Sequence, residues 1–472
     1  MWSIAHPKAL RVAFGGVAGV YTVAFASLVA QVRPLLGERG LTPVADVVQS
    51  MPASEGFVEA PSLLWLPGLH SDVALAALGW LGLGIALALV AWAIAGPAPA
   101  GRGGSRLPAC GFAALWGLYL SFVQLGDRWY GYGWETLLLE AGMLTTVLAA
   151  TQSRVVLLLY RWLTFRLMFG AGLIKIRGDA CWRDLTCLRY HFETQPIPNP
   201  LSWYLHHLPS GVLDAGVAWN HVAELLVPWG LFVPRTRRVA AWIIVHFQAM
   251  LILSGNLAFL NWLTLAICLP IAFDAAPAEG QVGPRARFVV AAYGVLVLVL
   301  SVRPTINLLS PGQRMNASFD RLHLVNTYGA FGSVGRERDE VILLGFDGRE
   351  WKEWEFPFKP GAVDRMPRII APFQPRLDWQ IWFAAMQSPA KNTWLVHLLY
   401  QLLQGRGSAK SLLANDPFPN TPPVQVRADL YRYAFTDPGE AGWWKRERLG
   451  AYLRPFNLED PNLLVLAAEE GW

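Results

Sequence analysis

The chain has 472 residues, 54% of them hydrophobic and only 15% charged, with 22 tryptophans and a formal net charge of +5. That composition excludes an ordinary soluble globular protein and predicts a membrane protein with an extramembrane part. The basic excess lies in residues 1–303, with 20 Lys and Arg against 15 Asp and Glu, while residues 304–472 carry 19 of each. No region holds the clustered basic stripe that a nucleic acid partner requires, so nucleic-acid binding is excluded as a function class.

A hydrocarbon core about 30 Å thick is crossed by a helix of about 20 apolar residues. Apolar stretches of that order occupy 12–31, 73–95, 108–125, 134–151, 155–176, 216–234 and 287–303. Residues 239–273 are long enough for two helices, with Ser254-Gly255-Asn256 as a turn between them. The pattern predicts an α-helical polytopic membrane bundle of about nine spans over 1–303. Lys8 and Arg11 before the first stretch also fit a cleaved leader, but the later spans leave little need for one. Threading nine spans puts Lys8, Arg11, Arg102, Arg106, Arg154, Arg235, Arg237, Arg238, Arg285 and Arg287 on one side. Positive loops stay in the cytoplasm. The N-terminus is therefore expected inside, and the loop 177–215 and residues 304–472 outside.

On that outer side oxidising conditions permit disulfides, and Cys181 and Cys187 are the two cysteines outside predicted spans. Their separation of six suits a small closed loop, and a structural disulfide is expected. The C-x5-C spacing is not a zinc signature, and no metal site is expected. Pro196, Pro198 and Pro200 give the rest of this loop an extended path, and Trp203 and Tyr204 suit an interface or a partner protein.

Ionisable groups inside spans are costly and point into a bundle by default. Glu135, Glu140, Arg161, Arg166, His221 and Glu224 are such groups, and they are expected to form one buried polar network. Lys175 stands apart as the lone lysine in residues 9–303. A lysine at a hydrophobic boundary can serve as a base once desolvation lowers its pKa, with His191 or Glu224 assisting. The competing reading is a lysine that snorkels or pairs to hold helices together.

Residues 304–472 predict a small mixed α/β extramembrane domain. Strands are expected in 322–334, in "DEVILLGFDG" (339–348), in "EWKEWEFPF" and in 424–436, and helices in 376–386 and 392–405. No phosphate-binding loop or nucleophile elbow occurs there. Trp443 and Trp444 are candidate partner-binding aromatics.

The strings "YGYGWETLLLEAGML" (130–144), "YRWLTFRLMFGAGLIKIRGDACWRDLTCLRYHFETQPIPNPLSWYLHHLP" (160–209), "SGNLAFLNWLT" (254–264) and "LHLVNTYGAFGSV" (322–334) resemble the lipase maturation factor family over most of the chain. The resemblance implies a multi-pass protein that helps secreted lipases reach an active fold, with its C-terminal region outside the cytoplasm. The Ala, Gly and Arg richness points to a GC-rich bacterium, which puts the identity of the client in question. A narrower stretch, "AGLIKIRGDACW" (171–182), is similar to the membrane domain of vitamin K-dependent gamma-glutamyl carboxylase, in which a lysine at the matching place is a catalytic base.

Two readings result. The first is a membrane-embedded maturation factor for exported proteins. It needs no catalytic residue and no cofactor, though a bound lipid or other hydrophobic small molecule is compatible with it. The alternative is an integral-membrane enzyme using Lys175 on a lipid, quinone or exported polypeptide. Expected partners are an exported client protein and membrane lipids, with no nucleic acid. The expected site is the inner membrane in a bacterium or the endoplasmic reticulum membrane in a eukaryote.

Overall fold

The computed structural model describes residues 7–96, 106–273 and 284–472. Nine helices of the apolar half are labelled α1 (Pro7–Leu36), α2 (Asp72–Ala95), α3 (Arg106–Leu125), α4 (Gly133–Thr151), α5 (Arg154–Arg177), α6 (Ser210–His221), α7 (Arg237–Ser254), α8 (Leu260–Ala272) and α9 (Pro284–Leu300). Six are long and apolar enough to cross a membrane: α1, α2, α3, α5, α7, and α9 with its continuation to Leu309. A count of nine spans is therefore not supported.

The reasons are local. α4 carries Glu135 and Glu140, and both are buried. The apolar run 216–234 is broken after α6 by a π-helical turn, Val222–Leu226, and then by a 3-10 segment containing Pro228. π turns inside helical runs often mark functional or packing constraints. α8 has only 13 residues, about 20 Å of rise against a core of about 30 Å. α5 is the most enclosed of the crossing helices, while α2, α7 and α9 leave most of their apolar surface facing outward, where bilayer lipid is the natural solvent.

Contacts fix which helix ends share a side. Arg11 donates to the carbonyls of Trp92, Ala93 and Gly96, tying the start of α1 to the end of α2. At the opposite end, the N–H of Glu38 donates to Asp72 at 2.8 Å. Above that end lies a four-stranded antiparallel sheet in the order β2-β1-β3-β4, from β1 (Arg338–Phe346), β2 (Trp351–Trp354), β3 (Gln425–Phe435) and β4 (Trp444–Phe456). Helices α10 (Arg376–Ala385), α11 (Thr393–Leu403) and α12 (Pro461–Glu470) complete this head.

β1 was legible because β-branched and aliphatic residues dominate it, and it is buried along nearly its whole length. Residues 322–334 are not a strand. They form an irregular segment with only an isolated bridge, Ser318 to Asn326, and Gly329 and Gly332 lie close against Ile174 of α5, where an added Cβ would be crowded. β4 had no counterpart in the sequence reading, since its first half is a charged run, Lys445 to Arg448, and only Trp444 of its 13 residues is buried. One apolar core runs from Phe14, Tyr21 and Phe112 in the bundle to Val341, Trp394 and Leu398 in the head.

Candidate functional site

The candidate site is the layer where α5, the loop 177–215 and the head meet. α5 ends at Arg177, and Asp179 caps a short turn, Ala180–Arg183, by accepting from the N–H of Cys181. Cys181 and Cys187 are joined by a disulfide, and both are buried with Trp182, Val217 and Val334. The N–H of Asp179 donates to the carbonyl of Gly332, and Trp182 Nε1 to the carbonyl of Phe331 at 2.7 Å. The loop that follows α5 is thus fastened to the irregular segment 322–334.

Lys175 is buried one turn before that fastening. Gly172 brings it to its partners: a Cβ there would fall 2.6 Å from Leu225 and 3.0 Å from the Cβ of Glu224, so only glycine lets α5 close on the π turn. Lys175 Nζ lies 2.6 and 2.7 Å from the two carboxylate oxygens of Glu224 and 3.0 Å from Asn220 Oδ1. Asn220 Nδ2 donates to Glu224 at 2.9 Å, and the ring of Trp182 lies 5.0 Å from Nζ. Three N–H directions meet three acceptor oxygens. This is the arrangement of an ion pair joining two elements, and the enzymatic reading built on Lys175 is not favoured.

His191, half-buried, packs edge-on against Phe331, with ring centroids 4.7 Å apart. Burial, then the nearby charge of Lys175, lowers its pKa to about 4. No hydrogen bond links it to Lys175 or Glu224 among the described residues. His221 Nε2 is 2.9 Å from the carbonyl of Trp182 and does not join the Lys175 cluster.

The intramembrane polar groups do not form one network. They divide into three clusters, because each is completed by a different segment of the chain. Glu140 pairs with Arg166, and both reach Asn326, whose N–H donates to Glu140 at 3.0 Å and whose carbonyl accepts from Arg166 at 2.5 Å. Tyr328 Oη adds a donor to Glu140 at 2.8 Å. Glu135 pairs instead with Arg376 of α10 at 2.8 Å and accepts from Tyr119 Oη. The third cluster is that of Lys175, Asn220 and Glu224. Arg161, expected in the same network, is also engaged by an interaction of its own.

Two further rivets hold the loop to the head. Arg338, at the start of β1 and fully buried, donates to the carbonyls of Glu193, Gln195 and Pro196 and pairs with Glu340 at 2.6 Å. Asn256, between α7 and α8, donates to the carbonyls of Pro198 and Arg368 and accepts from the N–H groups of Ile370 and Ala371. The sequence showed Ser254-Gly255-Asn256 as a turn and missed this second role. Arg338, Arg376, Asn326 and Asn256 were all missed; for Arg376 the one available signal was a lone arginine opening an apolar helix.

The aromatic quartet sorts differently from expectation. Trp444 is buried, stacked on Phe435, and is unavailable to a partner. Trp203 Nε1 donates to Thr436, and its ring meets Trp443, so these two seam the loop to the sheet. Tyr204 lies against Trp443 and is more than half exposed. Among the described residues no group of three His, Cys, Asp or Glu side chains is arranged to hold a metal.

Membrane-crossing helices, a disulfide-closed loop and a sheet-bearing head bound by buried charges define an integral membrane protein with a fixed extramembrane face. Two family profiles match it: "Lipase maturation factor transmembrane domain" over residues 10–278 and "Lipase maturation factor C-terminal domain" over residues 324–454. Lipase maturation factor 1 of Homo sapiens is 41% identical, covering 97% of this chain and 88% of the relative, and its Mus musculus counterpart is 40% identical over 94% and 86%. Lipase maturation factor 2 of Homo sapiens is 30% identical over 97% of this chain and 84% of its own length. The chain belongs to the lipase maturation factor family. No solved structure matches it.

Proposed function

We propose that this protein is a membrane-embedded maturation factor that assists exported proteins, lipases foremost, in reaching their folded form. The observation that carries the reading is the end-to-end identity with a human protein named for lipase maturation, across bundle and head together. The site chemistry supports it: Lys175 is engaged by Glu224 and Asn220, so the polar groups act as structural fasteners. The working surface is the outer face of the head and loop, with Tyr204 and the rim of Trp203 and Trp443 its most accessible aromatic part.

The head, residues 304–472, packs at the Leu36 end of α1, opposite Arg11, which needs an odd number of crossings, so the 19-residue α4 is counted with the six; on this reading the head and the loop 177–215 face the periplasm or organelle lumen and the N-terminus faces the cytoplasm. The disulfide supports this side, since such bonds persist in oxidising compartments. The membrane is the inner membrane in a bacterium and that of the endoplasmic reticulum in a eukaryote.

The test is deletion of the gene with secreted lipase activity and lipase antigen measured together. Loss of activity at retained antigen, restored by the wild-type chain and by a Lys175→Met/Glu224→Gln variant, supports folding assistance. Unchanged specific activity of every exported lipase refutes it.

A further inference from the structure

α8 is about 10 Å too short to fill the hydrocarbon core, and the chain that completes its column comes from the head. Pro372 lines an apolar cavity of about 270 Å³ together with Gly19 and Val23 of α1 and Trp262, Leu265 and Leu269 of α8. Two residues on, the carbonyl of Gln374 accepts from Ser27 and Gln31, and its side-chain oxygen accepts from Trp134. Ser27 and Val23 lie nine and thirteen residues before the end of α1 at Leu36, roughly 13 and 20 Å along the helix axis. The head therefore sends irregular backbone down beside α1, to the depth of its apolar window.

Irregular backbone at that depth is tolerated only where protein satisfies its polar groups. The segment is given such partners: Asn256 takes the N–H groups of Ile370 and Ala371 and the carbonyl of Arg368, and Gln31 takes the N–H of Arg376. The side chains tell the other half. Ile369 is 74% exposed and Met366 42%, although both adjoin a segment held against the end of α7. Met250 and Leu253 near the end of α7 are exposed and apolar too, and Asn256, two residues past that end, holds the backbone of Ile370 and Ala371. Arg368, exposed between Met366 and Ile369, has no side-chain partner among the described residues. Basic residues flanking buried apolar groups reach for lipid phosphate at this level.

We propose that residues 366–372 form a wedge of the head inserted into the outer leaflet, with Ile369 and Met366 among the upper acyl chains and Arg368 at the phospholipid phosphate. The partner is bilayer phospholipid. It is distinguished from a client protein by the depth at which the segment lies beside α1 and by the hydrogen bonds from Asn256 and Gln31 that hold its backbone there. The wedge fixes the height of the head above the membrane.

The experiment labels Ile369→Cys with a nitrobenzoxadiazole probe in the full chain, with Cys110, the exposed free cysteine, replaced by alanine. The protein is placed in nanodiscs with or without doxyl-labelled phosphatidylcholine carrying its nitroxide near the carbonyl. Val465→Cys on α12, 58% exposed, is the aqueous control, and retained protease resistance of the head is checked for every labelled variant. Met366→Cys is a second, independent site on the wedge. The expected result is strong quenching of both wedge labels by doxyl lipid and little by aqueous iodide, with the reverse at position 465. Iodide quenching without doxyl quenching at both wedge positions overturns the proposal. So does an iodide-accessible label that becomes protected only when a purified lipase client is added.

Discussion

Replacing Arg376 by methionine isolates the joint between head and bundle. Arg376 and Glu135 are both fully buried, one on α10 and one on α4. Removing one partner of a buried ion pair costs about 3–5 kcal/mol, because the remaining charge is stranded. Arg376 engages through Nη1 alone, to Glu135 and the carbonyl of Trp129, while the guanidinium carbon lies 3.7 Å from the centroid of the Tyr130 ring. Glu135 also keeps the Tyr119 hydroxyl after the change. These two facts place the expected loss at the lower end, about 3 kcal/mol. That corresponds to about 3 °C in the unfolding midpoint if head and bundle melt together, at about 2 cal/mol/K of unfolding entropy per residue. The assay is intrinsic-fluorescence melting in nanodiscs, read with protease sensitivity of the head. Arg376→Met/Glu135→Gln should recover most of the loss, since methionine over glutamine leaves no unpaired charge. A double variant as unstable as the sum of the singles would refute the claim that the pair, and not the shape of Arg376, joins the two parts.

Other changes test the remaining fasteners. Lys175→Met should destabilise by about 3 kcal/mol and Lys175→Met/Glu224→Gln much less; a stable single variant that nonetheless abolishes lipase maturation would contradict the structural role of the lysine. Cys181→Ser/Cys187→Ser opens a loop of about seven residues and should cost about 2 kcal/mol by the loop-entropy relation, seen as faster proteolysis within 177–215, and an unchanged cleavage pattern would count against it. Burial lowers His191 and His206 to about 4, with Lys175 and His207 respectively as secondary causes. The unfolded state takes these protons first, so stability is full above pH about 6.5 and falls as pH drops toward 4; a His206→Phe variant should show a shallower acid loss in melting scans. Asp378 acts in the opposite sense, since burial raises it to about 6 against the N–H donors of Lys359 and Phe358. Its penalty is relieved on acidification through that range, so Asp378→Asn should steepen the acid loss between pH 6 and 4.

The sequence by itself determined the bundle, the presence of a C-terminal head, β1, α10, α11 and the spacing that the disulfide uses. These are signals of period and continuity: twenty apolar residues, an aliphatic strand or a cysteine pair is visible within a short window. It overcounted spans where composition and conformation part company. Residues 216–234 read as one apolar run, yet the helix gives way to a π turn at Val222–Leu226 and a 3-10 segment at Val227–Phe232, while Asn220 and Glu224, four apart, share the face that meets Lys175. Tertiary structure alone decided the polar partnerships. Glu135 and Glu140 sit five residues apart on one helix, yet one pairs with Arg376 and the other with Arg166 and Asn326. Nothing within a window of sequence distinguishes those two glutamates, because a charge inside a membrane protein is satisfied by whatever the completed fold carries to it. The same holds for Asn256 and the wedge it supports: a turn residue is local, but the backbone it satisfies arrives from more than a hundred residues away.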